Sequence, residues 1–343
     1  MSAEKCLTNG DIAPVATAVR EEFKAPQLGD DLILYFHPYN FYSQKILLIL
    51  HECNIKFTPY IVDLAAGEQF SSWFLNLNPK GDVPVLQDGC FIVPDSNHII
   101  NYLDGKFRSD KHPNLKLKNL QKFDSERLNH YSQLVQKLPI GAISLGSFVH
   151  EDLKLNPKAP FIGPVRKTCL KNNEKIHEVL KTSIESKSPV TEEVTHQLKS
   201  TQIALKKKFE VQAKRKQIIS DRDQYQTLLD AVKDVLTFFN TELETNNHEW
   251  LISNDFSYAD INLGLLLYRL YTLGFENYFW AYGKLPNLES YFLRFKNRES
   301  LNKTLPTSIE IIKEIWAKTP SNYKLSAGAG FLGMAMFAAL AHK

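Results

Sequence analysis

Between residues 32 and 103, short apolar runs alternate with helical periodicities in one order, and that order limits the fold more than any other feature of the chain. Leu32–Phe36 (LILYF) is an apolar run of strand length, and it reads as a buried strand. From Ser43 the segment SQKILLILHEC places Ile46, Ile49, Leu50 and Cys53 at helical spacing, which makes one buried face. Residues 56–62 return as a second strand. Residues 68–77 (EQFSSWFLNL) form an irregular helix closed by the turn Asn78-Pro79-Lys80-Gly81. Residues 83–86 give a third strand, Asp88-Gly89 turns into a fourth at 91–93, and Asp95-Ser96 caps the helix that begins NHIINYL. The order is βαβαββα, with a right-handed crossover expected in its parallel part.

Three pieces of this stretch, LYF…SQK, NPKGDVPVL and PDSNHIINYL, resemble the N-terminal module of glutathione transferases. The resemblance implies a thioredoxin-like α+β domain over residues 31–105 and a glutathione site within it. In that family the Val-Pro peptide, here Val83-Pro84, is cis and presents the Val83 backbone to the cysteinyl part of glutathione. The acidic-Ser pair, here Asp95 and Ser96, holds the γ-glutamyl end. Open N–H groups at a helix N-terminus favour an anion; a plain helix cap is the alternative reading of the same pair. The family also needs a hydroxyl or thiol after the first strand to stabilise the thiolate. The serine position of its serine-type classes falls at Asn40, which donates a hydrogen bond but is not a nucleophile. Tyr39, Tyr42 and Ser43 are the nearby substitutes. Little conventional transferase activity is therefore expected.

The second half reads as helical. Ser257-Tyr258-Ala259-Asp260 is a capping box opening an apolar helix that runs to about Leu273, with Gly274 after it. Within WLISNDFSYADINL it resembles the buried core helix of the all-α C-terminal domain of the same transferases, where Asp260 is structural. LPNLESYFLRFKNRESLNKTL resembles the penultimate helix. The helical domain is assigned to residues 106–316.

An insertion interrupts it at about residues 146–220. Between residues 151 and 220 there are 15 Lys/Arg and 8 Asp/Glu, so this stretch carries +7 against a total of +3. It opens with a Pro-rich stretch and continues as Lys/Glu-rich helix. Val194, Leu198, Leu205 and Phe209 form one narrow apolar stripe, too little to hold the helix without help. Mobility and little contribution to the core are expected. Lys206, Lys207, Lys208, Lys214, Arg215 and Lys216 make a basic face, either solvated or a docking surface for an acidic protein or an anionic membrane. The small total charge does not suggest a nucleic-acid partner.

The ends differ. Residues 1–30 read as a flexible arm. Pro14 interrupts their short apolar stretch, and Asp11, Glu21 and Glu22 speak against a presequence. Residues 325–341 (LSAGAGFLGMAMFAALA) carry no charge over 17 positions. As a helix they would reach ~26 Å, just short of a ~30 Å hydrocarbon core. Lys318, Tyr323 and Lys324 before it, and His342 and Lys343 after it, suit interfacial anchoring. The expectation is a C-terminal transmembrane helix inserted as a tail anchor, and a short span fits a thinner membrane; a buried terminal core helix is the alternative. Gly328, Gly330 and Gly333 spell GxGxxG without the βαβ unit that a dinucleotide site needs. Small residues four apart within the span allow two such helices to approach, and hence a homodimer.

Four cysteines without a CxxC pair suit a reducing compartment and give no zinc ribbon. No metal site is expected. Transferase halves, insertion and tail together resemble the ganglioside-induced differentiation-associated protein 1 family, its first member or an invertebrate relative. That resemblance implies a protein of the outer mitochondrial membrane, with its bulk facing the cytosol, that affects mitochondrial fission and network shape. An active glutathione-dependent transferase or thiol reductase, and a small-ligand-binding module, are the competing readings. Glutathione is the cofactor of the transferase or reductase reading, the ligand-binding module would hold an apolar or anionic metabolite, and no cofactor is assigned with certainty.

Overall fold

The computed structural model describes residues 23–26, 32–107, 122–185, 195–245, 248–307, 310–311 and 313. The arm over residues 1–22, position Val194 and the uncharged span 325–341 lie outside them. Among the described residues, no helix is long and apolar enough to cross a membrane. The chain divides into two compact units, one within Met1–Asn114 and Asn173–Gln217, the other within Leu115–Asn172 and Ile218–Lys343.

The first unit is built on a four-stranded sheet: β1 (Leu32–Phe36), β2 (Thr58–Ile61), β3 (Val85–Asp88) and β4 (Phe91–Pro94), in the order β2-β1-β3-β4. β1 is parallel to β2, with Ile33 opposite Thr58, and antiparallel to β3, with Tyr35 opposite Val85. β4 is antiparallel to β3, with Asp88 opposite Phe91. The ladder of β3 begins at Val85 and not at Val83, because Pro84 has no N–H to contribute. Three helices accompany the sheet: α1 (Phe41–Glu52), α2 (Ser72–Leu77) and α3 (Ser96–Lys106). Ile33, Tyr35 and Val85 project from one sheet face onto Phe74 of α2. Leu34 and Leu86, pointing the other way as strand periodicity requires, are also fully buried. Both faces are therefore covered, as expected of a thioredoxin-like module.

Later helices are α4 (Lys122–Gln136), α5 (Ile140–Val149), α6 (Gly163–Glu185), α7 (Thr195–Ser220) and α8 (Arg222–Thr245). Much of α6 and α7 belongs to the first unit. Leu180 and Leu205 are buried against Phe70 and Leu75, with Ile176, Val179, Ile184 and Phe209 packed around them. This corrects the expectation that the insertion adds little to the core. The four-residue stripe omitted the apolar row on α6; that row, with Leu205 and Phe209 of α7, buries what one row could not. Gly67 sits beneath this row at φ +89, with Val179 and Ile176 over it.

The second unit contains α8 and, after it, α9 (Tyr258–Leu273), α10 (Glu276–Phe279), α11 (Pro286–Lys296) and α12 (Glu299–Thr304). α9 is buried on nearly every side and packs with α4 and α11, as suits a helix without a polar face. Ser257 and Asp260 form the complete capping box, and Gly274 at φ +94 ends the helix. Gly146, at which the insertion was expected to open, lies inside α5 against the ring of Tyr225.

Gly264 of α9 has no room for a methyl group, since a Cβ there would stand 2.2 Å from the buried Phe295 ring. Gly264→Ala should cost about 2–3 kcal/mol, in the range for overpacked cores. Chemical denaturation will show a lower midpoint with an unchanged slope.

Candidate functional site

The start of α1 lies within electrostatic reach of Asp82, in the turn before β3, and of Asp95, at the start of α3. Asn40 is the N-cap of α1, and its Oδ1 accepts the Ser43 N–H at 2.9 Å. Its side-chain oxygen is thus committed to the helix terminus, a role asparagine fills well. Ser43 is fully buried, and its Oγ accepts the His37 N–H at 3.3 Å. Of the hydroxyls near Asn40, Ser43 is therefore enclosed, while Tyr39 and Tyr42 reach the surface, Tyr42 being 40% exposed.

Tyr42 is the substitute that the fold places among the other candidate residues. Burial raises its phenol pKa, and the carboxylates of Asp82 and Asp95 raise it further. The phenol stays protonated and keeps a hydrogen bond to give. A thiolate forming beside it would face the Asp95 carboxylate, which disfavours a second negative charge there.

The Val83–Pro84 peptide is cis, and the Val83 backbone makes no hydrogen bond among the described residues. Asp95 caps α3 by accepting the Asn97 N–H at 2.8 Å. It does so at φ +73, where an L residue is seldom found. Such a backbone costs about 1–3 kcal/mol and is a feature of ligand sites. Ser96 opens the helix and is buried. The helix cap is present whatever else Asp95 and Ser96 do.

Sequence reasoning missed Lys45. Its side chain is 1% exposed, within the most buried stretch of α1. Its ammonium stands 5.8 Å from the rings of both Phe41 and Tyr42. Burial lowers its pKa to about 8, with Asp95 pulling the other way. The signal was present in the sequence: Lys45 stands four residues before Ile49 and eight before Cys53, along the helix face read as buried. Cys53, at the far end of α1, is a buried thiol outside any disulfide. Burial, with Glu52 and Asp104, pushes it up to about 12, so it is no nucleophile at neutral pH.

The basic residues of α7 do not share one face. Lys206, Lys207, Lys214 and Lys216 are exposed. Arg215 donates to Asn173 Oδ1 at 3.1 Å, and Lys208 turns onto the Lys80–Asp82 turn.

The sequence matches the glutathione S-transferase N-terminal domain over residues 41–106 and the glutathione S-transferase C-terminal domain over residues 163–299. The chain belongs to the glutathione S-transferase family. Within it, the chain is related to ganglioside-induced differentiation-associated protein 1-like proteins. The human protein named ganglioside-induced differentiation-associated protein 1-like 1 (Homo sapiens) is 26% identical over 324 residues, covering 89% of this chain and 84% of its own. The mouse protein of that name (Mus musculus) is 26% identical over 345 residues, covering 93% and 89%. Among solved structures, the β-etherase LigF from Sphingobium sp. strain SYK-6 superposes with a TM-score of 0.56 at 19% identity, over 80% of this chain and 98% of that one. Glutathione transferase F7 from Populus trichocarpa gives 0.52 at 18% identity, over 80% and 97%. These likenesses agree on a transferase fold, a thioredoxin-type module followed by a helical domain.

Proposed function

We propose that this transferase-like protein is held in the outer mitochondrial membrane by residues 325–341, with its bulk in the cytosol. There it acts on mitochondrial fission and network shape, with little or no conventional transferase turnover. The observation that carries the loss of turnover is Asn40. It stands where a hydroxyl or thiol is needed, and its side-chain oxygen is engaged by the Ser43 N–H. Relatedness along nine-tenths of the chain to the protein 1-like proteins supports the placement in that branch. The uncharged run of 17 residues, with basic flanks, supports the anchor. The Val83 backbone, Asp95 and Ser96 remain able to receive glutathione, and in this reading glutathione is a ligand rather than a co-substrate.

Cell fractionation tests the anchoring. The full chain should sediment with mitochondria and resist carbonate extraction. A chain lacking residues 325–343 should move to the soluble fraction with its helical signal intact, and should lose any effect on network shape. A full chain in the soluble fraction would overturn the reading. So would an aggregated truncation with lost helicity, which is the behaviour of a buried core helix. Conjugation of glutathione to a standard electrophile at rates ordinary for transferases would remove the second half of the proposal.

A further inference from the structure

Lys208 behaves unlike the lysines beside it. Its ammonium donates to the Lys80 carbonyl at 3.0 Å and to the Gly81 carbonyl at 2.7 Å, and it pairs with the Asp82 carboxylate. Three oxygens from three successive residues meet the three donors of one ammonium group. The side chain is 18% exposed, and its ammonium lies 5.4 Å from the centre of the Phe70 ring. Leu205 and Phe209, on either side of it, pack on the cluster that contains Phe70, so α7 delivers the lysine in a fixed register.

The turn it reaches is held from within as well. Asn78 Nδ2 donates to the Asp82 carbonyl at 2.8 Å, and Asn78 Oδ1 accepts the Lys80 N–H at 3.1 Å. Gly81 lies at φ +57, where an added Cβ would stand 2.8 Å from Phe70 and 2.9 Å from the Gln69 carbonyl. The next residue after this turn is Val83. The Asp82 carboxylate, 59% exposed in its side chain, is the negative charge nearest in sequence to that backbone, and Lys208 compensates it.

We propose that Lys208 is a positioning residue for the candidate ligand site. Through it, α7 fixes the turn 78–82, keeps the Val83 backbone presented, and cancels the charge of Asp82 where an anionic tripeptide would lie. The ligand half of this inference rests on the glutathione reading given above; the clamp on the turn does not.

Amide hydrogen exchange and calorimetric titration with glutathione, both on the full chain, separate the two halves. Lys208→Met should speed exchange at Gly81, Asp82 and Val83 at least tenfold, with β1 and α1 unchanged. Lys207→Met should change nothing, and Lys208→Arg should restore most of the protection. Glutathione affinity should fall at least tenfold in Lys208→Met. Adding Asp82→Asn should recover part of that loss, which a merely structural prop would not allow. Unchanged exchange at residues 81–83 in Lys208→Met would overturn the proposal. So would loosening of the whole unit, in Lys208→Met and Lys208→Arg alike, since it would make the lysine a general stabiliser. If the wild-type chain takes up no glutathione while exchange at the turn responds as stated, the clamp stands and the ligand half falls.

Discussion

Asp260→Ala should destabilise the protein by about 3–5 kcal/mol, the range for removing one member of a buried charged network. Asp260 is fully buried at the head of α9. Its Oδ1 accepts the Leu251 N–H at 2.9 Å and the Tyr291 hydroxyl at 2.9 Å. Its Oδ2 accepts the Ser257 N–H at 2.9 Å and the Ser257 hydroxyl at 2.5 Å. Burial raises the Asp260 pKa above the usual carboxylate range, and these four donors oppose the rise. Truncation takes the carboxylate acceptor from all four, at about 1–3 kcal/mol for each group that finds no other. Thermal unfolding should shift down by about 10–15 °C for a helical unit of this size. Tyr291→Phe removes only one donor and should cost about 1 kcal/mol. A loss under about 1 kcal/mol for Asp260→Ala would show that the capping box does not hold α9 in place.

Lys45→Met should have the opposite sign. The folded protein holds this ammonium at a pKa lowered to about 8, against an ordinary 10.5. Between those two values the unfolded chain binds more protons than the folded one, so stability rises with pH across that window. It is lost again as pH falls toward 8. The interval corresponds to about 3 kcal/mol at ~1.4 kcal/mol per unit. Methionine has a similar shape and no charge to desolvate. The variant should therefore be more stable than wild type at pH 7, by about 1–3 kcal/mol. The two should converge by pH 10.5, and the difference between them isolates Lys45 from the tyrosines that titrate nearby. Equal stabilities at both ends of the range would mean that the charged form is fully compensated.

Much of the first unit is legible because its signals are local. The order of strands and helices follows from apolar runs, Gly-Asn-Pro punctuation and caps, each contained within a few residues. The capping box at Ser257 and Asp260 is of the same kind. The insertion is harder. Its apolar row on α7 reads as too narrow, because the partner row at Ile176, Val179 and Leu180 lies some thirty residues earlier and comes alongside only when the chain folds back. Lys208 was hidden for the same reason. In the sequence it is the third member of a lysine triplet; in the fold its register beside Leu205 and Phe209 points it inward, while Lys206 and Lys207 stay in solvent. At the site, Asn40 is readable as a departure from the family pattern, but its cap to Ser43 depends on where α1 begins. Ser43 looks like a spare hydroxyl until burial removes it.

Among the described residues the sheet of the first unit has two edge strands, β2 and β4, and each carries a proline: Pro59 opposite Leu34, and Pro94 opposite Val85. Proline offers no N–H, so neither edge presents an unbroken row of donors to an incoming strand. Recruitment of further strands is how partly opened mixed sheets seed fibrils and swapped dimers. Both routes are blunted here at the ends of the sheet. Where copies of a chain with such a sheet crowd together, their contacts fall to helices and loops, which can release again, and not to strand-to-strand growth, which does not.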